Sequence, residues 1–219
     1  MARLKLGVLI SGRGTNLQAL IDAAADPAFP AEIALVLSNR GDAAGLVRAE
    51  AAGIPTAVVR HRDFADRPAF EDALNETLAR AGVELVCLAG FMRLLTARFV
   101  DFWAGKAINI HPSILPAFPG LDTHRRAIDA GVRFAGATVH YLSAEMDAGP
   151  IILQAATPIL PEDDPDSLAA RVLEAEHVIY VRAVRWIAEG RVTITDGRTR
   201  IRDVGDAAAY ALPAKSAAV

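Results

Sequence analysis

Short apolar runs alternate with helical patterns through the first 110 residues, a rhythm that restricts the chain to βαβ units around a parallel sheet. The candidate strands are Leu4–Ile10, Ile33–Leu37, Thr56–Val59, Leu85–Ala89 and Ala107–Ile110. Between the first two, Leu17, Leu20, Ile21 and Ala24 recur at helical spacing until Asp26-Pro27 ends the segment. A second helix, Ala43–Ala52, is stopped by Gly53; a third, Arg67–Ala81, starts after Asp66 as its N-cap and ends at Gly82.

The rhythm changes at Asn109. His111-Pro112-Ser113-Ile114-Leu115-Pro116-Ala117-Phe118-Pro119-Gly120 carries three prolines, which forbid a regular helix or a central strand and predict an ordered loop. After a short helix near Thr123–Ala130, the β-rich stretches Ala137–Leu142 and Ile151–Ala155 flank Ser143–Pro150, so the sheet is expected to be mixed at that edge. A long helix spans about Asp166–Glu189, closed by Gly190, and seven alanines between 207 and 219 show no stripe to bury, which predicts a flexible tail over 205–219. The fold class expected is α/β: a doubly wound, Rossmann-like, mostly parallel sheet in a single domain over 1–204.

Composition limits what such a domain binds. Lys and Arg number 23 against 26 Asp and Glu, a net charge of −3, so the basic field that supports nucleic-acid binding is absent. The 219 residues are 53% hydrophobic and 22% charged, which suits a large core and not disorder. Cys87 is the single cysteine and cannot pair within the chain, in keeping with a reducing compartment and a cytoplasmic location. Leu4–Ile10 runs into Ser-Gly-Arg-Gly, which reads as a first strand and not as a secretory signal. No run of 18 apolar residues predicts a membrane span.

Ser11-Gly12-Arg13-Gly14-Thr15-Asn16 lies between the first strand and the first helix, where backbone N–H groups and a helix N-terminus form an anion site with phosphate as the expected occupant. A tight turn without ligand is the alternative. The dinucleotide fingerprint needs a third glycine at position 17, where Leu17 stands, and the second strand ends in Ser38-Asn39 without an acidic ribose ligand. A P-loop fails for lack of the Lys-Ser/Thr pair.

Asn109 and His111 stand two apart at the carboxyl end of a predicted strand, so their side chains share a side. Pro112 holds His111 to extended conformations, which implies a preorganised catalytic imidazole, the alternative being a histidine that only ties down the proline loop. Asp147 falls in the turn before Gly149-Pro150, a position from which it can reach the same strand ends or serve only as a turn residue. Brought together, the carboxylate would orient the imidazole and favour its charged form, and the amide would donate to an oxygen developing negative charge. No G-x-S-x-G elbow occurs and Cys87 is mid-strand, which argues against a covalent intermediate. His61, His111, His124, His140 and His177 show no metal-ligand spacing, and His140, alternating with apolar residues, reads as a structural histidine. On the long helix, Glu176 shares the apolar face of Leu168, Val172, Ile179, Tyr180, Ala183 and Ile187, so it needs either a ligand or an internal donor.

These motifs together resemble the folate-dependent phosphoribosylglycinamide formyltransferases. The likeness runs over about residues 4–195 and rests on Leu-Ile-Ser-Gly-Arg-Gly-Thr-Asn-Leu-Gln-Ala-Leu at 9–20, Leu-Ala-Gly-Phe-Met-Arg-Leu-Leu at 88–95, Asn-Ile-His-Pro-Ser-Ile-Leu-Pro at 109–116 and Met-Asp-Ala-Gly-Pro-Ile-Ile at 146–152. The resemblance implies transfer of a formyl group from 10-formyltetrahydrofolate to the amine of glycinamide ribonucleotide in purine synthesis, without a metal. It implies that Gly14, Thr15 and Asn16 hold the substrate phosphate, that Glu176 contacts the nucleotide, and that Asn109, His111 and Asp147 are catalytic. Arg67 and Met92-Arg93-Leu94-Leu95 would lie against the folate, with Asn109 at the formyl group. On this view 4–110 is the phosphate-binding half and 111–204 the folate and catalytic half, in a monomer or homodimer that binds neither nucleic acid nor membrane. Asp122 stands where some relatives have His, Met146 where Leu is more usual, and the alanine-rich tail has no counterpart.

Formyltetrahydrofolate hydrolase and methionyl-tRNA formyltransferase share the Asn-x-His and Asp elements. Their additional domains have no room in this length, and the acidic balance fits poorly with tRNA. A non-catalytic phosphate- or folate-binding module is the alternative outside enzymes.

Overall fold

The computed structural model describes residues 2–203, so the predicted tail over 205–219 lies outside the described residues. Five parallel strands form first: β1 (Leu4–Ile10), β2 (Ala31–Ser38), β3 (Thr56–Val58), β4 (Leu85–Leu88) and β5 (Ala107–His111). Between them lie α1 (Thr15–Ala24), α2 (Ala44–Ala51), α3 (Arg67–Arg80) and α4 (Ala97–Phe102). After α5 (Thr123–Asp129) come β6 (Phe134–Tyr141), β7 (Ile151–Pro158) and α6 (Pro165–Ala188). The seven strands are ordered β3-β2-β1-β4-β5-β6-β7. β5/β6 and β6/β7 are antiparallel, the mixed edge expected from the sequence. None of the described helices is long and apolar enough to cross a membrane.

Because the chain moves outward from β1 to β3 and returns on the other side of β1 to form β4, the loops after β1 and β4 diverge and leave a crevice between them. Ser11 pins the two loops across it: its N–H donates to the Gly90 carbonyl at 3.1 Å, and its Oγ accepts from Met92 N at 2.8 Å.

The helix ends obey their local chemistry. Asp66 caps α3 by accepting from Ala69 N at 2.8 Å, as its sequence position predicts. Asp164 and Ser167 form a reciprocal capping box on α6, with Pro165 at the first helical position.

The sheet carries two unlike faces. Leu6, Val8, Ile10, Cys87, Ile108, Ile110, Val139 and Tyr141 face the core shared with α1, α2, α5 and α6. Leu9, Leu37, Val86, Leu88 and Ala107 face the second core, built with Phe70, Leu74 and Leu78 of α3 and with Phe99 and Trp103 at α4. By strand alternation, Asn109, His111, Thr138 and His140 continue this second face on β5 and β6. There the apolar pattern gives way to polar groups, and the proline loop takes the place of a helix. Thr138 Oγ1 donates to the Ser113 carbonyl (2.7 Å) and accepts from Leu115 N (3.0 Å), while Gln154 Nε2 donates to the Leu115 carbonyl (2.8 Å).

Several elements differ from the sequence expectation. β6 starts at Phe134 and not at Ala137; Gly136, which weakens a strand prediction, is there because a Cβ would lie 1.9 Å from the Ala155 carbonyl oxygen. β7 runs on to Pro158, tolerated at the edge of the sheet. Helix α4, of six residues, is too short to show a period. A separate hairpin of β8 (Val192–Thr195) and β9 (Arg198–Ile201), which the sequence expectation did not include, turns on Asp196-Gly197, both at positive φ, after the alternating Val-Thr-Ile-Thr of β8.

The β6–β7 loop depends on Gly149, where a Cβ would sit 1.8 Å from the Tyr141 carbonyl oxygen. Gly149→Ala must therefore displace backbone and is expected to lower the free energy of urea unfolding by about 1–3 kcal/mol. Gly12→Ala, with nothing within 4 Å of the added carbon, should stay within about 0.5 kcal/mol of wild type in the same assay.

Candidate active site

The glycine loop is shaped by a close approach of two backbones. Gly14 is left-handed (φ 70°, ψ 34°) at the start of α1, and a Cβ there would lie 2.6 Å from Gly45 Cα in α2. Gly45 N donates to the Gly12 carbonyl at 3.0 Å, so α2 braces the loop at a glycine the sequence reading did not single out. α1 has no side-chain cap, and among the described residues the N–H groups of Gly12 to Leu17 donate to no protein acceptor. That run of unpartnered donors at a helix N-terminus is the geometry expected of an anion site. Asn39, at the position where a dinucleotide fold keeps its acidic ribose ligand, is spent internally, accepting from Ser11 Oγ at 2.6 Å.

Glu176 reaches this loop from α6. Its Oε2 accepts from Asn16 Nδ2 at 2.6 Å, which supplies the internal donor that a buried carboxylate requires. Asn16 Oδ1 is buried without a partner among the described residues. Burial raises the Glu176 carboxyl from its ordinary value of 4.5 to about 6, and the Asn16 hydrogen bond opposes that rise.

Asn109, His111 and Asp147 meet on the polar part of the second sheet face. His111 Nε2 lies 3.2 Å from the Phe118 carbonyl, which can only accept, so this nitrogen carries a proton. Nδ1 faces Asp147 Oδ2 at 3.5 Å, an ion-pair distance. Asp147 does not reach the site from the strand ends. Tyr141 pairs with Ile108, about 10 Å back along β5 from His111 at ~3.3 Å per residue. From there the loop folds back over the sheet face, which the tight approach at Gly149 permits, and leaves Asp147 at φ 55° with Oδ2 accepting from Gly120 N at 2.8 Å.

The structure adds His140 to this group. It is 2% exposed, stands opposite Asn109 in the β5–β6 register, and its Nε2 lies 3.3 Å from Asn109 Nδ2 and 3.9 Å from Asp147 Oδ1. His140 is buried and hydrogen-bonded as a structural histidine would be, and beyond that expectation it packs directly against two of the predicted catalytic residues. Alternation in β6 placed it on the polar face, but only the strand register identifies its neighbour. Cys87 stays outside the site, its thiol pushed up to about 12 by burial. Among the described residues no three His, Cys, Asp or Glu side chains converge as a metal site.

A formyl transferase family profile matches residues 4–184 of this chain. The phosphoribosylglycinamide formyltransferase of Haemophilus influenzae is 47% identical over 192 residues, covering 88% of this chain and 91% of that one. The glycinamide ribonucleotide transformylase 1 of Symbiobacterium toebii has a TM-score of 0.89 at 48% identity, covering 91% of this chain and 94% of the other. The chain belongs to the formyl transferase family, among the phosphoribosylglycinamide formyltransferases. The trifunctional purine biosynthetic protein adenosine-3 of Drosophila melanogaster is 49% identical over 195 residues, but this chain spans only 14% of its length.

The segment after β4 holds four of the residues expected from the resemblance to lie against a folate. Met92 and Leu94 are 69% and 61% exposed, while Arg93 and Leu95 are half-buried, with Arg93 Nε buried and unpartnered among the described residues. Buried Glu71 of α3 anchors the end of this segment by accepting from Thr96 N at 2.7 Å and from the Thr96 hydroxyl. Glu71 was missed in the sequence because beside Asp72 it reads as part of a solvent-facing acidic pair, although it stands three and seven residues before the buried Leu74 and Leu78. Arg67 stands exposed at the first turn of α3 and makes no hydrogen bond or ion pair with the described residues, so the structure does not join it to the 92–95 segment.

The raised carboxyl of Glu176 fixes the sign of a pH effect. The folded state holds this proton more tightly than the unfolded chain, a stabilisation complete below about pH 4.5 and lost as pH rises through about 6. Glu176→Gln is therefore expected to be more stable than wild type above pH 6 by about 2 kcal/mol, with the gain fading toward pH 4.5. Thermal unfolding of the ligand-free proteins across that range measures it.

Proposed function

We propose that this chain transfers the formyl group of 10-formyltetrahydrofolate to the primary amine of glycinamide ribonucleotide. The observation that carries the reading is the meeting of Asn109, His111 and Asp147 on one sheet face, in a protein whose first glycine loop offers unpartnered N–H donors to an anion. The loop of Gly14, Thr15 and Asn16 takes the phosphate, Glu176 contacts the nucleotide, and the apolar Met92 and Leu94 with Arg93, Leu95 and Arg67 receive the folate.

In the reaction, the amine nitrogen attacks the formyl carbon and the carbonyl π electrons move to oxygen. Asn109 Nδ2 donates to that developing oxyanion, a contribution typically worth about 2.7–4 kcal/mol. The oxyanion lone pair then re-forms the carbonyl and expels folate N10 with the C–N electron pair; N10 takes up a proton, and the attacking nitrogen, cationic in the tetrahedral adduct, loses one. His111, protonated at Nε2 and facing the Asp147 carboxylate through Nδ1, stabilises the charge and carries the proton, for about 10²–10⁴-fold in rate.

Asn109→Ala and His111→Ala should each lower kcat by about 10²-fold or more. Calorimetric affinity for glycinamide ribonucleotide should stay within about twofold, since 1.4 kcal/mol is already tenfold in affinity and neither residue belongs to the phosphate loop. Near-wild-type turnover in either variant would remove that residue from the mechanism.

A further inference from the structure

We propose that His140 is a positioning residue that acts through Asn109, holding the amide so that an N–H, and not its carbonyl oxygen, is offered to the formyl oxygen. This rests on the formyl-transfer reading of the site. His140 Nδ1 lies 2.9 Å from the Tyr141 carbonyl, which only accepts, so Nδ1 carries the proton. In the neutral ring Nε2 is then an acceptor, and its neighbour at 3.3 Å, Asn109 Nδ2, donates to it. An asparagine amide has nearly the same shape after a half-turn about χ2, and only its hydrogen-bond partners select between the two orientations. With one Nδ2 hydrogen held by His140, the other remains for a ligand oxygen.

The groups facing His140 reinforce this tautomer. It is 2% exposed, and burial lowers its pKa, with the nearby His111 acting in the same direction. The Tyr141 carbonyl and Asp147 act in the opposite direction. Asp147 Oδ1 lies 3.9 Å from Nε2, whereas Asp147 Oδ2 already engages Gly120 N and faces His111. A proton on Nε2 would set a donor against the Asn109 donor and draw Asp147 away from His111. The neutral ring therefore serves both catalytic neighbours without touching the substrate itself.

The test combines a double-mutant cycle with a spectrum. His140→Ala and His140→Gln are each combined with Asn109→Ala, and kcat and KM are measured for both substrates. We expect His140→Ala to lower kcat at least tenfold with both KM values within twofold, His140→Gln to recover part of that loss by accepting through its amide oxygen, and His140→Ala to cause no further loss in the Asn109→Ala background. An unchanged kcat in His140→Ala, or losses that simply add, would overturn the proposal. Nitrogen-15 spectra of histidine-labelled protein supply a readout that needs no turnover and no destabilising substitution. His140 should show a protonated Nδ1 and an unprotonated Nε2, with the Nε2 signal shifting in Asn109→Ala; a protonated Nε2 would overturn the proposal even if the enzyme is fully active. Absence of ribonucleotide-dependent transfer in wild type would overturn the formyl-transfer reading, and with it the positioning role of His140.

Discussion

The antiparallel pairing of β5 with β6 is the constraint on which the site depends. It sets Asn109 opposite His140 and His111 opposite Thr138, on a face where no helix covers the sheet. Each of these pairs has a separate task. The Thr138 hydroxyl anchors the proline loop, whose Phe118 carbonyl then fixes His111, while His140 touches the amide of Asn109. A parallel strand in place of β6 would need a long crossover and would bury this face under a helix. The change of strand direction at the edge is thus what leaves room for polar chemistry beside an otherwise apolar sheet.

The loop after β6 must then run against the direction of its own strand to bring Asp147 to His111, and a single absent Cβ at Gly149 makes that path possible. Across the molecule the same economy recurs at Gly14 and Gly45, whose backbones touch so that α1 can begin without a side-chain cap. Such an opening leaves N–H donors unsatisfied in the ligand-free protein. Glu176 adds a second local cost, a buried carboxylate with one donor. Unmet donors and an under-satisfied carboxylate, 160 positions apart in the chain, thus meet at Asn16, a local cost to stability that a ligand of the proposed kind would relieve.

Much of this was legible in the sequence because it is local. The β-α rhythm, the Asp66 cap, the strand-to-helix position of Gly14 and the two-residue spacing of Asn109 and His111 all survive in the structure. What the chain did not disclose depends on distant partners. Gly45 matters through Gly14, 31 positions away, Glu71 through Thr96, and His140 through its register with Asn109. His140 in particular alternates with apolar neighbours as any half-buried histidine would, and only the three-dimensional pairing gives it a chemical partner. Asp147 could be named as a candidate from its turn, yet its route over the sheet face could not be inferred from a turn motif.

The central claim is that this face supports formyl transfer to an amine and not simple hydrolysis or binding. The most direct measurement follows tetrahydrofolate and formate formation from 10-formyltetrahydrofolate, with and without glycinamide ribonucleotide. Tetrahydrofolate should form only in the presence of the ribonucleotide, and without formate. Formate release in the absence of the ribonucleotide, or no folate turnover under either condition, would contradict it.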